Sequence, residues 1–200
     1  MEHKYTFKDG SHLIVRDMTI EDTDLSYAFF NSIPEFRRRY FRSDVTNHEH
    51  IIERIKTMES GSIIRRIAIY NGKIVGDGSL EIATKSWKSG EAELRLVILP
   101  EYEKKEIQLA LVKDFYDTAY HEQLNKIIAK FMRPQENLQQ IYEEAGFKME
   151  GILPNYVVDQ QGKEQDMIIM VASLEDIRKA HHFIGDWLQD EHGSIGAGEM

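Results

Sequence analysis

Few side chains in this sequence have the types and spacing to do chemistry together. Cysteine is absent from all 200 residues, which removes a thiolate nucleophile, a thiolate metal site and disulfides at once. His48-Glu49-His50 and His181-His182 invite a metal reading. Residues one or two apart on a helix do not share a face, however, and no further ligands converge on them, so no metal is expected. Phe36-Arg37-Arg38-Arg39-Tyr40-Phe41-Arg42 is the one basic-aromatic cluster, a pattern that can take a nucleic acid. Against that, 25 basic residues face 34 acidic ones for a net charge of −9, a poor general partner for nucleic acid or an anionic membrane. A helix with its arginines outward and Phe36, Tyr40 and Phe41 inward accounts for the cluster. Glu81 and Glu93 are carboxylates placed within strands. Glu93 is two residues from Arg95 and on the same strand face, a spacing that gives an ion pair.

The elements that must position these residues follow from periodicity. Apolar residues make up 42% of the chain, enough for one core at this length. His12 to Arg16 reads as a first strand. Thr19 and Asp22 have the spacing of a capping box ahead of a helix through Leu25, Ala28 and Phe29. Ile51, Ile52, Ile55 and Met58 give a helix from about Thr46 to Met58. Ile63 to Tyr70 and Lys73 to Ala83 are strands joined at Asn71-Gly72, the strongest short hairpin signal. Glu91 to Leu99 alternates, with Ala92, Leu94, Leu96 and Ile98 on one face and Glu93, Arg95 and Val97 on the other. After Pro100 the period changes to that of a helix, through Ile107, Leu111, Phe115 and Ala119. Lys126 to Met132 is a strand, Gln135 to Ala145 a helix stopped by Gly146, and Phe147 to Leu153 and Gln165 to Ala172 are the last strands. The order is β-α-α-β-β-β-α-β-α-β-β-α, an α/β layer architecture with a central mixed sheet flanked by helices. Residues 1–173 form the expected domain, 174–192 an amphipathic C-terminal helix with Ile177, Ala180, Ile184, Trp187 and Leu188 on one side, and 193–200 a flexible tail. No apolar run approaches the ~18 residues of a membrane-spanning helix, and Met1 to Tyr5 shows no apolar leader. The absence of cysteine fits a reducing cytosol, so the expectation is a cytoplasmic protein with no membrane and no nucleic-acid partner.

Two stretches resemble a known superfamily. From Glu91 to Met170 the chain has a strand, then Leu99-Pro100-Glu101-Tyr102, a long helix, another strand, and Ile141-Tyr142-Glu143-Glu144-Ala145-Gly146-Phe147, followed by Glu150-Gly151 and Tyr156. This resembles the GNAT-type N-acetyltransferases. Asp9-Gly10, the strand ending in Arg16, Ile20-Glu21-Asp22 and Pro34-Glu35-Phe36-Arg37 resemble the start of the acetyltransferase domain of bacterial protein acetyltransferases. The resemblance implies acyl transfer from acetyl-CoA, or another acyl-CoA, to an amine on a small molecule or a protein lysine. It implies that Leu96, Val97 and Ile98 pair with the pantetheine arm, and that the pyrophosphate sits on the first turn of the long helix, at Lys104, Lys105, Ile107, Gln108 and Leu109, where free N–H groups favour anions. Gln135 or Asn137 would contact the cofactor. Glu93 would be the base, with Glu81 as second choice, and Tyr142 the acid for the leaving thiolate.

The phosphate loop departs from the family. On a gap-free reading of Tyr102-Glu103-Lys104-Lys105-Glu106-Ile107-Gln108, Glu103 replaces the usual Gln or Arg, while Glu106 and Gln108 replace the two signature glycines, whose role is close backbone approach to the phosphates. Either Lys104 and Lys105 hold the phosphates by side chain, or residues 103–106, all good helix formers, extend the helix into the phosphate site. The first case gives an acyltransferase with a degenerate loop, the second a catalytically inactive ligand-sensing or protein-interaction module. A homodimer through the C-terminal helix is open in both.

Overall fold

The computed structural model describes residues 2–7, 9–83, 87, 90–103, 106–173, 175–176, 179 and 189–190. The strands are β1 Glu2–Thr6, β2 His12–Asp17, β3 Ile63–Tyr70, β4 Lys73–Ile82, β5 Glu91–Ile98, β6 Lys126–Met132, β7 Lys148–Val158, β8 Glu164–Ser173 and β9 Gln189–Asp190. The helices are α1 Thr23–Ser32, α2 Glu35–Arg38, α3 His48–Lys56, α4 Ile107–His121 and α5 Glu136–Glu144. One mixed sheet runs in the order β7-β8-β6-β5-β4-β3-β2-β1-β9. Every neighbouring pair is antiparallel except β5 and β6.

The α/β reading of the sequence holds. Asn71 and Gly72 take φ 49° and 74°, the positive pair that a two-residue hairpin turn requires. The alternation of β5 buries Ala92, Leu94, Leu96 and Ile98, against a core that includes α4. Ile107, Leu111, Phe115 and Ala119 on α4 are all fully buried. On the other face of the sheet, α1 and α3 bring Phe30, Ile51 and Ile55 onto Ile67 and Leu99 in a second apolar cluster.

The structure corrects several boundaries. β1 was not legible, because Glu2-His3-Lys4-Tyr5-Thr6 lacks apolar alternation. It forms because Asp9-Gly10 turns the chain back onto β2, with the Phe7 N–H bonded to the Ser11 carbonyl at 2.9 Å and Asp9 Oδ1 accepting from the Ser11 N–H. The capping pair acts on a 3₁₀ turn, Ile20–Asp22, before α1, with the Thr19 N–H donating to Asp22 Oδ2 at 2.8 Å. The helix expected over 46–58 is α3 plus a 3₁₀ turn, Thr57–Ser60. β7 continues five residues past the expected Leu153. The expected C-terminal helix and tail lie largely outside the described residues. Within the helix's expected span, Gln189 and Asp190 are instead extended and pair with Thr6 and Tyr5.

Two contacts fix α4 against the sheet. The first is steric. A Cβ on Gly78 of β4 would come within 2.5 Å of Phe115 Cε2, and one on Gly76 within 2.8 Å of Leu111 Cδ1. The second is a buried ion network. Arg66 of β3 pairs with Asp114 of α4 and with Asp17, its Nη2 donates to Thr118 Oγ1 at 3.2 Å, and His3 Nδ1 of β1 lies 2.5 Å from Asp114 Oδ1.

These contacts give two expected outcomes. Gly78→Ala overpacks the ring of Phe115 and lowers unfolding free energy by about 1–3 kcal/mol in urea titrations, with secondary structure retained. The hydrogen bond to Asp114 raises the His3 pKa above its ordinary value, outweighing burial, which lowers it. A raised folded-state pKa stabilises the fold fully below about pH 6.5 and is lost as pH rises through the folded value. The melting temperature of the wild type should therefore exceed that of His3→Gln by more at pH 6 than at pH 9, and an equal gap at both would refute the linkage.

Candidate active site

β5 and β6 pair at only three positions, Glu91↔Lys126, Ala92↔Ile127 and Glu93↔Ile128. β5 then runs on to Ile98 and β6 to Met132, so the two strands part inside the sheet and leave a wedge. A parallel pair opening this way exposes backbone N–H and C=O groups on two inner edges. Tyr142, sent back from α5, fills the narrow end. Its phenol is buried, donates to the Leu94 carbonyl at 3.2 Å, stacks on Phe131 at 5.7 Å and meets Phe147 edge-on at 4.9 Å. Burial pushes the phenol well above its usual range, and the nearby Glu93 charge adds to the effect, so Tyr142 is neutral at any physiological pH.

The wedge opens into two adjoining clefts. One, of about 240 Å³, is bounded by Leu96, Val97, Phe131, Gln135 and Tyr142 on the strand side and by Phe30, Tyr40 and Phe41 on the other. The second, of about 360 Å³, is reached past Val97, Ile98, Glu103, Gln135 and Asn137. The fold thus brings Leu96, Val97, Ile98, Gln135, Asn137 and Tyr142 around these two clefts. The two amides are engaged with protein. Gln135 Oε1 accepts from the Met132 N–H at 3.0 Å, capping the end of β6, and Asn137 Nδ2 donates to Glu103 Oε1 at 2.8 Å.

Around the first turn of α4, the helix starts at Ile107 with Glu106 as its N-cap, after a separate 3₁₀ turn over Pro100–Tyr102. Glu103 is a turn residue rather than part of α4. Its carboxylate is paired with Arg37 of α2 and with Asn137, so it is not a bare anion in the phosphate region. Gln108 folds back on the loop, donating to the Glu103 carbonyl at 3.1 Å, and its Oε1 is buried without a partner among the described residues. Ile107 is fully buried and Leu109 nearly so, which leaves their backbone, not their side chains, to face a ligand. Lys104 and Lys105 lie outside the described residues.

Glu93 stands where the two strands part, at the centre of a charge cluster. It pairs with Arg42, with Arg95 Nε at 3.1 Å and with Lys130 Nζ at 2.9 Å. Burial would raise its pKa, but the hydrogen bond from Lys130 and the charges of Arg42 and Arg95 overcome that and bring it to about 2. Arg95 also reaches Glu81 Oε2 at 2.9 Å. Further in, Arg54 of α3 donates to Asp77 Oδ1 at 2.8 Å and lies 4.6 Å over the ring of Phe30, while Arg65 of β3 lines the same cleft. Reasoning from the sequence missed Arg54, Arg65, Asp77 and Lys130 as site residues. The available signal was Arg65-Arg66 inside an apolar strand. By period two, one must point to each side of a covered sheet, and each then needs a buried anion.

A mixed sheet split at a parallel pair, with a helix N-terminus at its mouth and a buried tyrosine at its base, defines an acyltransferase fold. Residues 12–148 match the acetyltransferase (GNAT) domain, and the chain belongs to that family of transferases. A search of curated protein sequences found no match. Among solved structures, the chain is similar to RimJ from Mycobacterium smegmatis, a structure in complex with CoA-disulfide (15% identity, 94% of this chain and 95% of that one, TM-score 0.77). It is also similar to a ribosomal-protein-S5-alanine acetyltransferase from Vibrio fischeri (18%, 86% and 97%, 0.74) and to the GNAT domain of PAT from S. lividans (14%, 86% and 97%, 0.71).

Removing the Tyr142 hydroxyl tests the wedge itself. Tyr142→Phe leaves the buried Leu94 carbonyl without its donor and should cost about 1–3 kcal/mol of stability, read from chemical unfolding, with the fold intact by circular dichroism.

Proposed function

We propose that the protein transfers an acyl group, acetyl by preference, from acyl-CoA to the amine of an acceptor. The observation that carries this reading is the parting of β5 from β6 above Tyr142, which leaves the Leu96–Ile98 edge free to pair with an amide-bearing arm. The pyrophosphate would lie on the first turn of α4, where N–H groups lack intrahelical partners, with Lys104 and Lys105 supplying charge. Three features favour that fit despite the missing glycines: α4 begins only at Ile107, Gln108 bends back to the loop, and the Glu103 carboxylate is already paired.

In this reading the acyl carbon sits near the base of the wedge. The neutral Tyr142 phenol turns from the Leu94 carbonyl to donate a hydrogen bond to the sulfur as the thiolate leaves. Glu93, held ionised, positions Arg42, Arg95 and Lys130. A carboxylate with so low a pKa is a weak base, so the work is shared. The positive cluster lowers the pKa of an amine placed beside it, and Glu93 receives the proton as the amine attacks. The acceptor class is an amine-bearing small molecule or a protein lysine, and the setting is the cytoplasm.

A second reading, a ligand-sensing or interaction module of the same fold, is favoured by the Arg37–Glu103–Asn137 link at the mouth of the cleft. Isothermal titration with acetyl-CoA separates the two. The enzyme reading expects micromolar binding that weakens at least tenfold in Lys104→Ala/Lys105→Ala. No binding at millimolar acetyl-CoA would leave the sensing or interaction module.

A further inference from the structure

Charge pairing in the acceptor-side cleft is incomplete in one place. Glu93 answers Arg42, Arg95 and Lys130, and Asp77 answers Arg54. Arg65 also lines this cleft. Only 7% of it is exposed, and among the described residues no carboxylate lies within ion-pair distance of it. Its Nε donates to the Arg54 carbonyl at 3.0 Å and its Nη2 to Thr57 Oγ1 at 3.4 Å, both neutral acceptors. Beside it, Arg54 Nη1 is buried with no hydrogen-bond partner among the described residues, as is Asp77 Oδ2. Asp77 and Glu81 act on Arg65 only from beyond ion-pair distance; a buried charge with no counter-ion in contact is costly, and buried donors are ordinarily satisfied.

The register shows where an anion would meet these groups. Arg65 of β3 lies directly opposite Ser79 of β4, which lies opposite Arg95 of β5. The three form one row across the sheet, leading from the buried Arg65 to the cluster around Glu93 near Tyr142. A ligand along this row would place an anionic group at Arg65, Arg54 Nη1 and Ser79, with Asp77 Oδ2 free to accept from a neighbouring donor. Its other end would reach the acyl-transfer position.

The segment Tyr40, Phe41, Arg42 and Ser43 that lines this cleft is also held in place. Arg39 Nη2 donates to Asp159 Oδ2 at 2.6 Å in the turn between β7 and β8. From that turn the Gln160 N–H donates to the Arg39 carbonyl at 2.9 Å, and Gln160 Nε2 to the carbonyls of Phe41 and Ser43 at 3.1 and 3.2 Å. Residues 39–43 are thereby tied to the turn, and the cleft of about 240 Å³ that they line suits a compact acceptor better than an extended polypeptide.

We infer that the acceptor is a small amine that also carries a carboxylate, held by Arg65 with Arg54 and Ser79. This rests on the acyl-transfer reading above and names the substrate class for it.

The test measures thiol release from acetyl-CoA, for which a chain without cysteine gives no background. The acceptor panel is glycine, 4-aminobutanoate, 6-aminohexanoate, aspartate and glutamate, each beside its carboxyl-free alkylamine, plus a peptide with an N-terminal glutamate. Wild-type protein should show at least tenfold higher kcat/KM for one or more carboxylate-bearing amines than for the neutral counterpart. It should use the peptide at least tenfold less well. In Arg65→Met, the kcat/KM preference for the carboxylate-bearing amine over its neutral counterpart should fall at least tenfold. Equal use of charged and neutral amines, use of the peptide as good as that of the free amino acids, or turnover of no panel member would each overturn the inference, and the wild-type comparisons decide it even if Arg65→Met does not fold. Acetyl-CoA titration on the same samples keeps the two ideas apart. Retained binding with no acceptor selectivity sinks the acceptor class alone, whereas absent binding sinks the transferase reading.

Discussion

The structure depends on one broken pairing. A parallel strand pair at the centre of a sheet would normally stay bonded along its length, because buried backbone groups left open are costly. Here β5 and β6 stay together for three residues and then part. Two devices make the gap tolerable. The phenol of Tyr142 takes the first exposed carbonyl, that of Leu94, and Gln135 caps the last amide of β6 at Met132. Both come from the α5 region, directly after β6, so the segment that leaves the sheet also returns the groups that close its wound. What remains open is the edge at Leu96 to Ile98, which the acyl-transfer proposal gives to the donor.

The parts that were legible in the sequence, and those that were not, divide along a physical line. Elements with a strong period were readable from it. β3 and β6 have the expected bounds, and α4 buries the expected stripe of Ile107, Leu111, Phe115 and Ala119. Elements made by pairing alone were not: β1 is polar and exists because a turn lays it on β2, and β9 because β1 offers an edge. The site divided in the same way. Tyr142 and the Leu96–Ile98 strand carry local motifs. Lys130, Arg54 and Arg65 matter because a sheet register and a helix set them around one cleft, and no spacing along the chain encodes that. The glycine-free loop read as a threat to phosphate binding, since sequence shows which side chains are present but not that Glu103 would be held by Arg37 or that Gln108 would fold back.

Charge is distributed against the average. A chain with net charge −9 gathers Arg42, Arg54, Arg65, Arg95 and Lys130 on one cleft, with Glu93 as the hub of three of them. In a partly desolvated site such a hub does two things: it keeps like charges from repelling one another apart, and it holds long, flexible side chains in fixed positions. Glu93 is thus a framework residue of the cleft, holding Arg42, Arg95 and Lys130 in place.

The close contacts at Gly76 and Gly78 carry a design consequence. With no Cβ on either, α4 beds down on β4 until Leu111 and Phe115 meet the backbone, and the height of the helix above the sheet is thereby set. In the acyl-transfer proposal the start of α4 is the far anchor of the donor, so two bare positions in the neighbouring strand would act as a shim beneath it. An engineer wishing to seat a bulkier acyl donor would do better to adjust that shim, with compensating truncations on the helix, than to rebuild the loop.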